Sequence, residues 1–279
     1  MKINKFQIKH QRLLAAFLIF FGMMGGMRPP AALGEEATEA PGGIDLGQSF
    51  INAFETNDEA QMKSLVKENK NAVSKELVNM ITYATSSEVK LEEMTWLINI
   101  SGKMAGIYST QFSDKRLENF VGKYKKWTQK EQDKRKDADR IYYSHKKDMK
   151  NKDYDAVVDK WDKSLEIYRE IGDRLTEAKR LNEIGITFGK LGSFKTSIKY
   201  LDEARGINKE IGNTWGEVND LRFMAAGYVA LEDYSTAAET YKSALNIVRE
   251  LGDNTQRDIL LDEIANTEDK MKNAKAKTE

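Results

Sequence analysis

The stretch REIGD at residues 169–173 returns as KEIGN at 209–213 and as RELGD at 249–253, so one five-residue pattern recurs every 40 residues. Other columns keep the same period, with isoleucine at each of positions 167, 207 and 247. A sequence period of about 20–50 residues is typical of proteins in which similar units stack side by side. The second half of the chain is therefore predicted to be a repeat structure.

Each unit predicts two helices. The first is expected at 175–191 and again at 215–231, where apolar residues recur at spacings of three and four. The second is expected at 194–211 and again at 234–251.

The end of each unit carries the residues that stop one helix and start another. Gly212 and Gly252 can take the left-handed conformation that ends a helix, and Asn213 and Asp253 can cap the helix that follows. A small residue near the middle of each first helix, such as Gly185, predicts a close helix crossing.

The units resemble the tetratricopeptide repeat. The resemblance covers about residues 138–275 and lies in two matching series, Leu181-x2-Ile184-Gly185-x2-Phe188 with Ser197-x3-Leu201-x2-Ala204, and Leu221-x2-Met224-Ala225-x2-Tyr228 with Ala237-x3-Tyr241-x2-Ala244. The 40-residue period is similar to the longer variant of kinesin-light-chain-like proteins. The resemblance implies an all-α fold, an α-solenoid of antiparallel helix pairs, whose first helices line a concave groove.

The resemblance also implies which side chains would bind a partner. Where the family often carries a ligand-clamping asparagine, this sequence has Glu183 and Phe223. The remaining groove-facing positions are the expected partner-binding residues, Lys179, Asn182, Ile186, Asn219, Arg222, Ala226 and Val229.

The region before the repeats is predicted to be helical but irregular. Prolines occur at three positions, all before residue 42, and proline is excluded from helix interiors. The sequence predicts an N-terminal helical region at 48–127, a charged helical connector at 128–153, and repeats with a C-terminal capping helix at 154–275.

The N-terminus has the form of an export signal. Four basic residues precede an uncharged run at 13–27, which is short for a membrane-spanning helix. Small residues follow at 32–34, so residues 1–34 are predicted to be a cleaved signal peptide and 35–47 a flexible tether. An uncleaved membrane anchor is the alternative. The remaining chain would carry 39 basic and 44 acidic residues, a net charge of −5.

Composition argues against catalysis. The chain has no cysteine and two histidines. Only His145 lies outside the export segment, and its side chain is expected at the surface of the fold. Histidine and cysteine supply most metal ligands and nucleophile–base pairs. We therefore expect no catalytic residue, no metal site and no cofactor.

A basic stretch leaves several interpretations open. Residues 123–153 contain 12 basic and 6 acidic residues, interleaved with tyrosines and a tryptophan. The stretch fits a solvated helix, or a contact with anionic lipid or an acidic partner. Nucleic acid also attracts such stretches, but the export signal argues against it.

These features predict a non-catalytic protein–protein interaction scaffold, periplasmic or secreted, in a bacterial cell envelope. Its partner would be a protein or peptide held in the repeat groove. Two alternatives stay open: a structural protein that assembles with copies of itself, and a binder of an envelope ligand through 123–153.

Overall fold

The computed structural model describes residues 46–86 and 89–276, which are all-helical and contain no strand. The predicted export segment and residues 35–45 of the predicted tether lie outside the described residues. None of the helices in the described ranges combines the length and apolar character needed to cross a membrane.

Five helices form the N-terminal region. They are α1 (Leu46–Glu55), α2 (Glu59–Glu68), α3 (Lys70–Ala84), α4 (Leu91–Phe112) and α5 (Arg116–Tyr124).

Seven helices follow in the repeat half. They are α6 (Gln129–Asn151), α7 (Tyr154–Ile171), α8 (Arg174–Lys190), α9 (Phe194–Ile211), α10 (Thr214–Ala230), α11 (Tyr234–Leu251) and α12 (Asn254–Lys275). The predicted second helices match α9 and α11 at both ends, and the predicted first helices are one residue late.

The three recurring turns confirm the predicted helix ends. Gly172, Gly212 and Gly252 have φ values of 72°, 74° and 73°, in the left-handed region that glycine adopts without strain. The next residue caps the following helix in each case. The Asp173 carboxylate accepts from Thr176 N, for example, and thereby satisfies one backbone donor at the start of α8.

Three antiparallel pairs result, α6 with α7, α8 with α9, and α10 with α11, and α12 packs on the last pair. We call α6, α8 and α10 the A helices. α6 occupies the predicted connector and packs along α7. Its buried side contains Ala138 and Tyr142. His145, expected at the surface, lies half-buried instead, with its ring 5.3 Å from the ring of Trp161.

Helix pairs approach closely where a small residue stands on the A helix. A Cβ added to Gly185 would lie 2.8 Å from Leu201 Cγ and 3.1 Å from the Ser197 carbonyl oxygen. Leu201 is fully buried. Ala225, the equivalent residue of α10, is also fully buried. The predicted crossing points are confirmed.

The N-terminal region has a core of its own. Four methionines contribute to it, and all are at most 1% exposed: Met62, Met80, Met94 and Met104. A capping motif at 85–88 would predict the start of α4 there, but α4 begins at Leu91. Thr85 is instead the C-cap of α3, and both its backbone N–H and its hydroxyl donate to the Ile81 carbonyl.

The N-terminal region also packs against the turns between repeats. At the first turn, Tyr124 OH donates to Asp173 Oδ1 at 2.8 Å, and Arg135 Nε of α6 donates to Asp173 Oδ2 at 2.9 Å. Trp127 Nε1 donates to the Ile171 carbonyl at 3.2 Å.

The second and third turns receive their own contacts. Ser74 Oγ donates to the Gly212 carbonyl at the second turn. Asn71 Nδ2 donates to the Glu250 carbonyl at 3.1 Å, at the third turn. α3 therefore lies along the repeat stack and approaches two successive units.

Candidate functional site

A cleft of ≈ 210 Å³ lies where α3 passes the A helices α8 and α10. Val78 and Thr82 of α3 form one wall. The other lining residues come from the repeat half, namely Arg135, Leu175, Thr176, Ala178, Lys179, Arg180, Asn182, Asn208, Asn213, Gly216, Asn219 and Asp220. Three residues predicted from the repeat pattern, Lys179, Asn182 and Asn219, thus meet in one concavity.

Polar side chains link each A helix to the next helix along the groove. Arg180 of α8 donates to Asp139 of α6 at 2.8 Å. Asn182 of α8 donates to Asp220 of α10 at 2.6 Å. Such links fix the spacing of the helices that form the groove floor.

Arg222 makes the last of these links. It donates to Glu263 of α12 at 2.9 Å. Asn182 and Arg222, which the repeat pattern assigned to a partner, therefore also hold the solenoid together. The signal was present in the sequence, since Asp220 and Glu263 follow them by close to one 40-residue period.

Asp220 is the buried carboxylate of the cleft. It is 1% exposed and accepts from Asn182 Nδ2 at 2.6 Å and from Asn208 Nδ2 at 2.7 Å. Burial penalises the charged carboxylate more than these two amides stabilise it, and it raises the pKa of Asp220 to about 7. Asn208 in turn accepts from Asn213 at 2.8 Å, which connects the carboxylate to the second turn.

Lys179 and Asn219 are exposed donors of the cleft that remain available, and the buried Arg180 Nε also has no hydrogen-bond partner. No hydrogen bond or ion pair holds the Lys179 or the Asn219 side chain within the described residues. The walls of the concavity partly desolvate the Lys179 ammonium, and the nearby Arg180 guanidinium repels it. Both effects lower the pKa of Lys179.

The other predicted groove residues lie outside the cleft lining. Ala226 is exposed, and Ile186 and Val229 are half-buried. Val229 packs against the core formed by α10, α11 and α12.

Sequence reasoning missed the contribution of α3. Val78 and Thr82 belong to no repeat column, and their place at the cleft depends on the hydrogen bonds that dock α3 against the turns. Nothing in the repeat pattern indicates those bonds.

A larger cavity of ≈ 510 Å³ lies near the start of α3 and between α10 and α11. Its charged and polar groups are largely engaged in the fold. Arg116 pairs with Asp114 at 2.7 Å, the Lys70 ammonium lies 4.9 Å from the centre of the Phe112 ring, and Asn71 binds the third turn.

Among the described residues, no group of three or more histidine, aspartate or glutamate side chains is arranged to hold a metal ion. The cleft is a polar concavity with two exposed, available donors, Lys179 and Asn219, and one buried carboxylate, Asp220. Comparison of the chain with known protein families finds no match, and comparison with curated proteins finds none either.

Proposed function

We propose that this chain is a non-catalytic binding protein whose cleft receives an extended peptide segment of a protein partner. The observation that carries the proposal is the pair Lys179 and Asn219, exposed on neighbouring A helices of one cleft and engaged by no other side chain of the described ranges.

The chemistry of the cleft indicates what the segment should contain. An extended peptide exposes backbone N–H and C=O groups that a carboxamide can pair with. The Lys179 ammonium favours an acidic side chain at the adjacent position of the ligand. We therefore expect a partner segment that carries at least one aspartate or glutamate.

A binding role fits better than catalysis because the strongest titratable groups of the cleft already have structural partners. Arg135 holds Asp173, Arg180 holds Asp139 and Glu183, and Asp220 is held by two amides. Such groups shape the floor of a site, and Asp220 is only 1% exposed, so its carboxyl offers almost no surface to a substrate.

The proposed place of action is the cell envelope, in the periplasm or outside the cell. The basic and then apolar pattern of residues 1–34 supports export. Recovery of the full-length chain from the cytoplasm alone in a cell fractionation would contradict this part of the proposal.

The binding test uses one pair of exposed residues. A photocrosslinking side chain at position 219 should capture the partner, and a synthetic peptide of the captured segment then serves as the ligand. Lys179→Ala with Asn219→Ala should weaken peptide binding at least about tenfold, roughly 1.4 kcal/mol, in fluorescence anisotropy. Thermal melts should change little, since exposed substitutions usually alter stability by about 0.5 kcal/mol or less.

The matched control is Lys199→Ala with Asn246→Ala, the same two residue types at exposed positions of α9 and α11. It should leave peptide binding unchanged. If this pair weakens binding and the cleft pair does not, the partner uses the opposite face of the repeats.

Self-assembly is a second candidate because α12, the last described helix, carries an exposed leucine. Leu261 of α12 is 41% exposed, whereas Leu221 at the equivalent position of α10 is 6% exposed. A helix from a second copy could cover Leu261. Light scattering measures the molar mass of the purified wild-type chain and of the Leu261→Asp variant. Only self-assembly predicts that the wild type is larger than a monomer and that the variant has a lower molar mass.

A further inference from the structure

The outer side of α6 carries a regular row of four cations and one tyrosine. The row consists of Lys136, Arg140, Tyr143, Lys147 and Lys150, whose spacings alternate between four and three residues. Residues at these spacings lie on one face of an α-helix, so the row runs for about 21 Å. All five side chains are exposed. We call this set the basic row.

The basic row lies at the end of the repeat stack. α6 belongs to the first helix pair, and its packed side, with Ala138 and Tyr142, faces α7. No earlier pair of the same kind covers the opposite side. The row is therefore a free surface in the described part of the chain.

The C-terminal half of the row makes no close ion pair within the described residues, although Lys147 acts on Asp148 from a longer distance. Lys136 lies 4.0 Å from Asp133 and Arg140 lies 3.0 Å from Asp137. Lys147 and Lys150 have no ion pair within the described residues. The nearby acid Asp148 is neutralised by Lys160 of α7. Positive charge therefore concentrates between residue 143 and the end of the helix.

Two exposed tyrosines border this charge. Tyr143 is 46% exposed in the middle of the row, and Tyr154 is 43% exposed at the start of α7. Lys146 and Lys152 add two further exposed cations between them. Lys146 Nζ lies 5.4 Å from the centre of the Tyr143 ring.

We propose that the basic row is a membrane-contact surface that binds the headgroups of anionic phospholipids. Lysine ammoniums act as point charges and need no pocket, which suits a diffuse layer of phosphates. Tyrosine is enriched where membrane meets water, because its ring is apolar and its hydroxyl is polar. A straight row on one helix can touch a flat surface along its whole length.

A membrane fits these observations better than nucleic acid. Single strands are bound by aromatic side chains on which successive bases stack. The two exposed tyrosines, Tyr143 and Tyr154, lie on different helices, and the neighbouring Tyr142 is buried, so this described surface offers no series of adjacent rings. The predicted export of the chain also brings it to a membrane.

Because the chain has no cysteine, a single introduced cysteine can be labelled with a dye at one chosen position. A single cysteine introduced as Ser144→Cys, at an exposed position beside Tyr143, carries an environment-sensitive dye. The reference label is Ser235→Cys, exposed at the start of α11. Vesicles contain either phosphatidylcholine alone or equal parts of phosphatidylglycerol and phosphatidylcholine. The dye responds only to its own surroundings. Its signal therefore reports contact of the basic row with the vesicle even if the apolar residues 13–27 also bind the membrane.

We expect a blue shift of the dye at position 144 with phosphatidylglycerol vesicles, little shift with phosphatidylcholine alone, and none at position 235. Each lysine near an anionic surface contributes about fivefold in affinity. Lys147→Gln with Lys150→Gln should therefore weaken binding at least about tenfold. The matched control, Lys195→Gln with Lys199→Gln on α9, should change nothing. Added salt should weaken binding further.

Three results would overturn the proposal. The shift could be equal on both vesicles, it could be equal at positions 144 and 235, or it could persist unchanged in the row variant. A single-stranded DNA oligonucleotide that shifts the dye at a lower phosphate concentration than the vesicles would overturn it in favour of nucleic acid.

Discussion

Asp220 shows how one buried side chain can make the stability of the whole chain depend on pH. Its pKa in the folded chain is raised to about 7, from an ordinary value of 3.8. The unfolded chain therefore releases this proton at lower pH than the folded chain does. The contribution of Asp220 to the free energy of unfolding is therefore fully present below about pH 4, where the carboxyl is protonated in both states. It is lost as the pH rises through about 7.

This sign gives a prediction for Asp220→Asn. Between pH 4 and pH 8 the wild-type chain should lose stability, on the order of 4 kcal/mol, relative to the variant, whose side chain does not titrate. Urea unfolding of both proteins across this range measures the difference. A constant difference from pH 4 to pH 8 would mean that Asp220 ionises normally in the folded chain.

Two glycines in neighbouring helices should respond in opposite ways to the same substitution. Gly185→Ala places a Cβ 2.8 Å from the buried Leu201 and should destabilise the chain by about 1–3 kcal/mol through overpacking. Gly206 lies within α9 and has nothing within 4 Å of its added Cβ, so Gly206→Ala should stabilise by about 0.4–1 kcal/mol. Chemical denaturation of both variants tests the pair. Equal effects of one sign would mean that the crossing of α8 and α9 is placed incorrectly.

At the scale of elements, the repeat period predicted α8 to α11 almost to the residue. The reason is physical: each turn contains a glycine with positive φ and a capping Asp or Asn, and these local signals mark helix ends. α4 shows the limit. It begins at Leu91, where Glu93 accepts from the Lys90 backbone N–H, and not at the Ser/Thr-rich motif of residues 85–88.

The candidate site was predictable only in part, for a related reason. Lys179, Asn182 and Asn219 were expected from the resemblance to a known repeat, and the structure brings them together. The wall formed by α3 depends on hydrogen bonds between side chains and distant backbone carbonyls, such as Asn71 to Glu250. Such bonds have no sequence period, because any residue supplies the carbonyl.

The molecule as a whole should unfold as one unit. Solenoids touch only neighbouring units and can fray from their ends. Here α3 contacts the second and third turns directly, through Ser74 and Asn71. Hydrogen exchange should therefore give similar opening free energies for α3 and α11. Much faster exchange in α11 than in α3 of the wild-type chain would contradict this coupling.

Asn71→Ala with Ser74→Ala should remove that coupling and let α11 and α12 open first. Each lost hydrogen bond is expected to cost about 0.5–1.5 kcal/mol. Ser235→Ala with Asn246→Ala, at exposed positions of α11, is the matched control and should leave the protection of both helices unchanged.

The contacts at the three turns also bear on how such a chain can change in length over evolution. Repeat arrays commonly grow when one unit is duplicated in the gene, since a new unit needs only its two neighbours. In this chain the first, second and third turns each meet a different set of side chains: Tyr124, Trp127 and Arg135, then Ser74, then Asn71. A unit duplicated before the third turn would move the later turns away from those partners by one helix pair. The contacts therefore disfavour duplication within the three described units, whereas a unit added after the third turn would leave all of them in place.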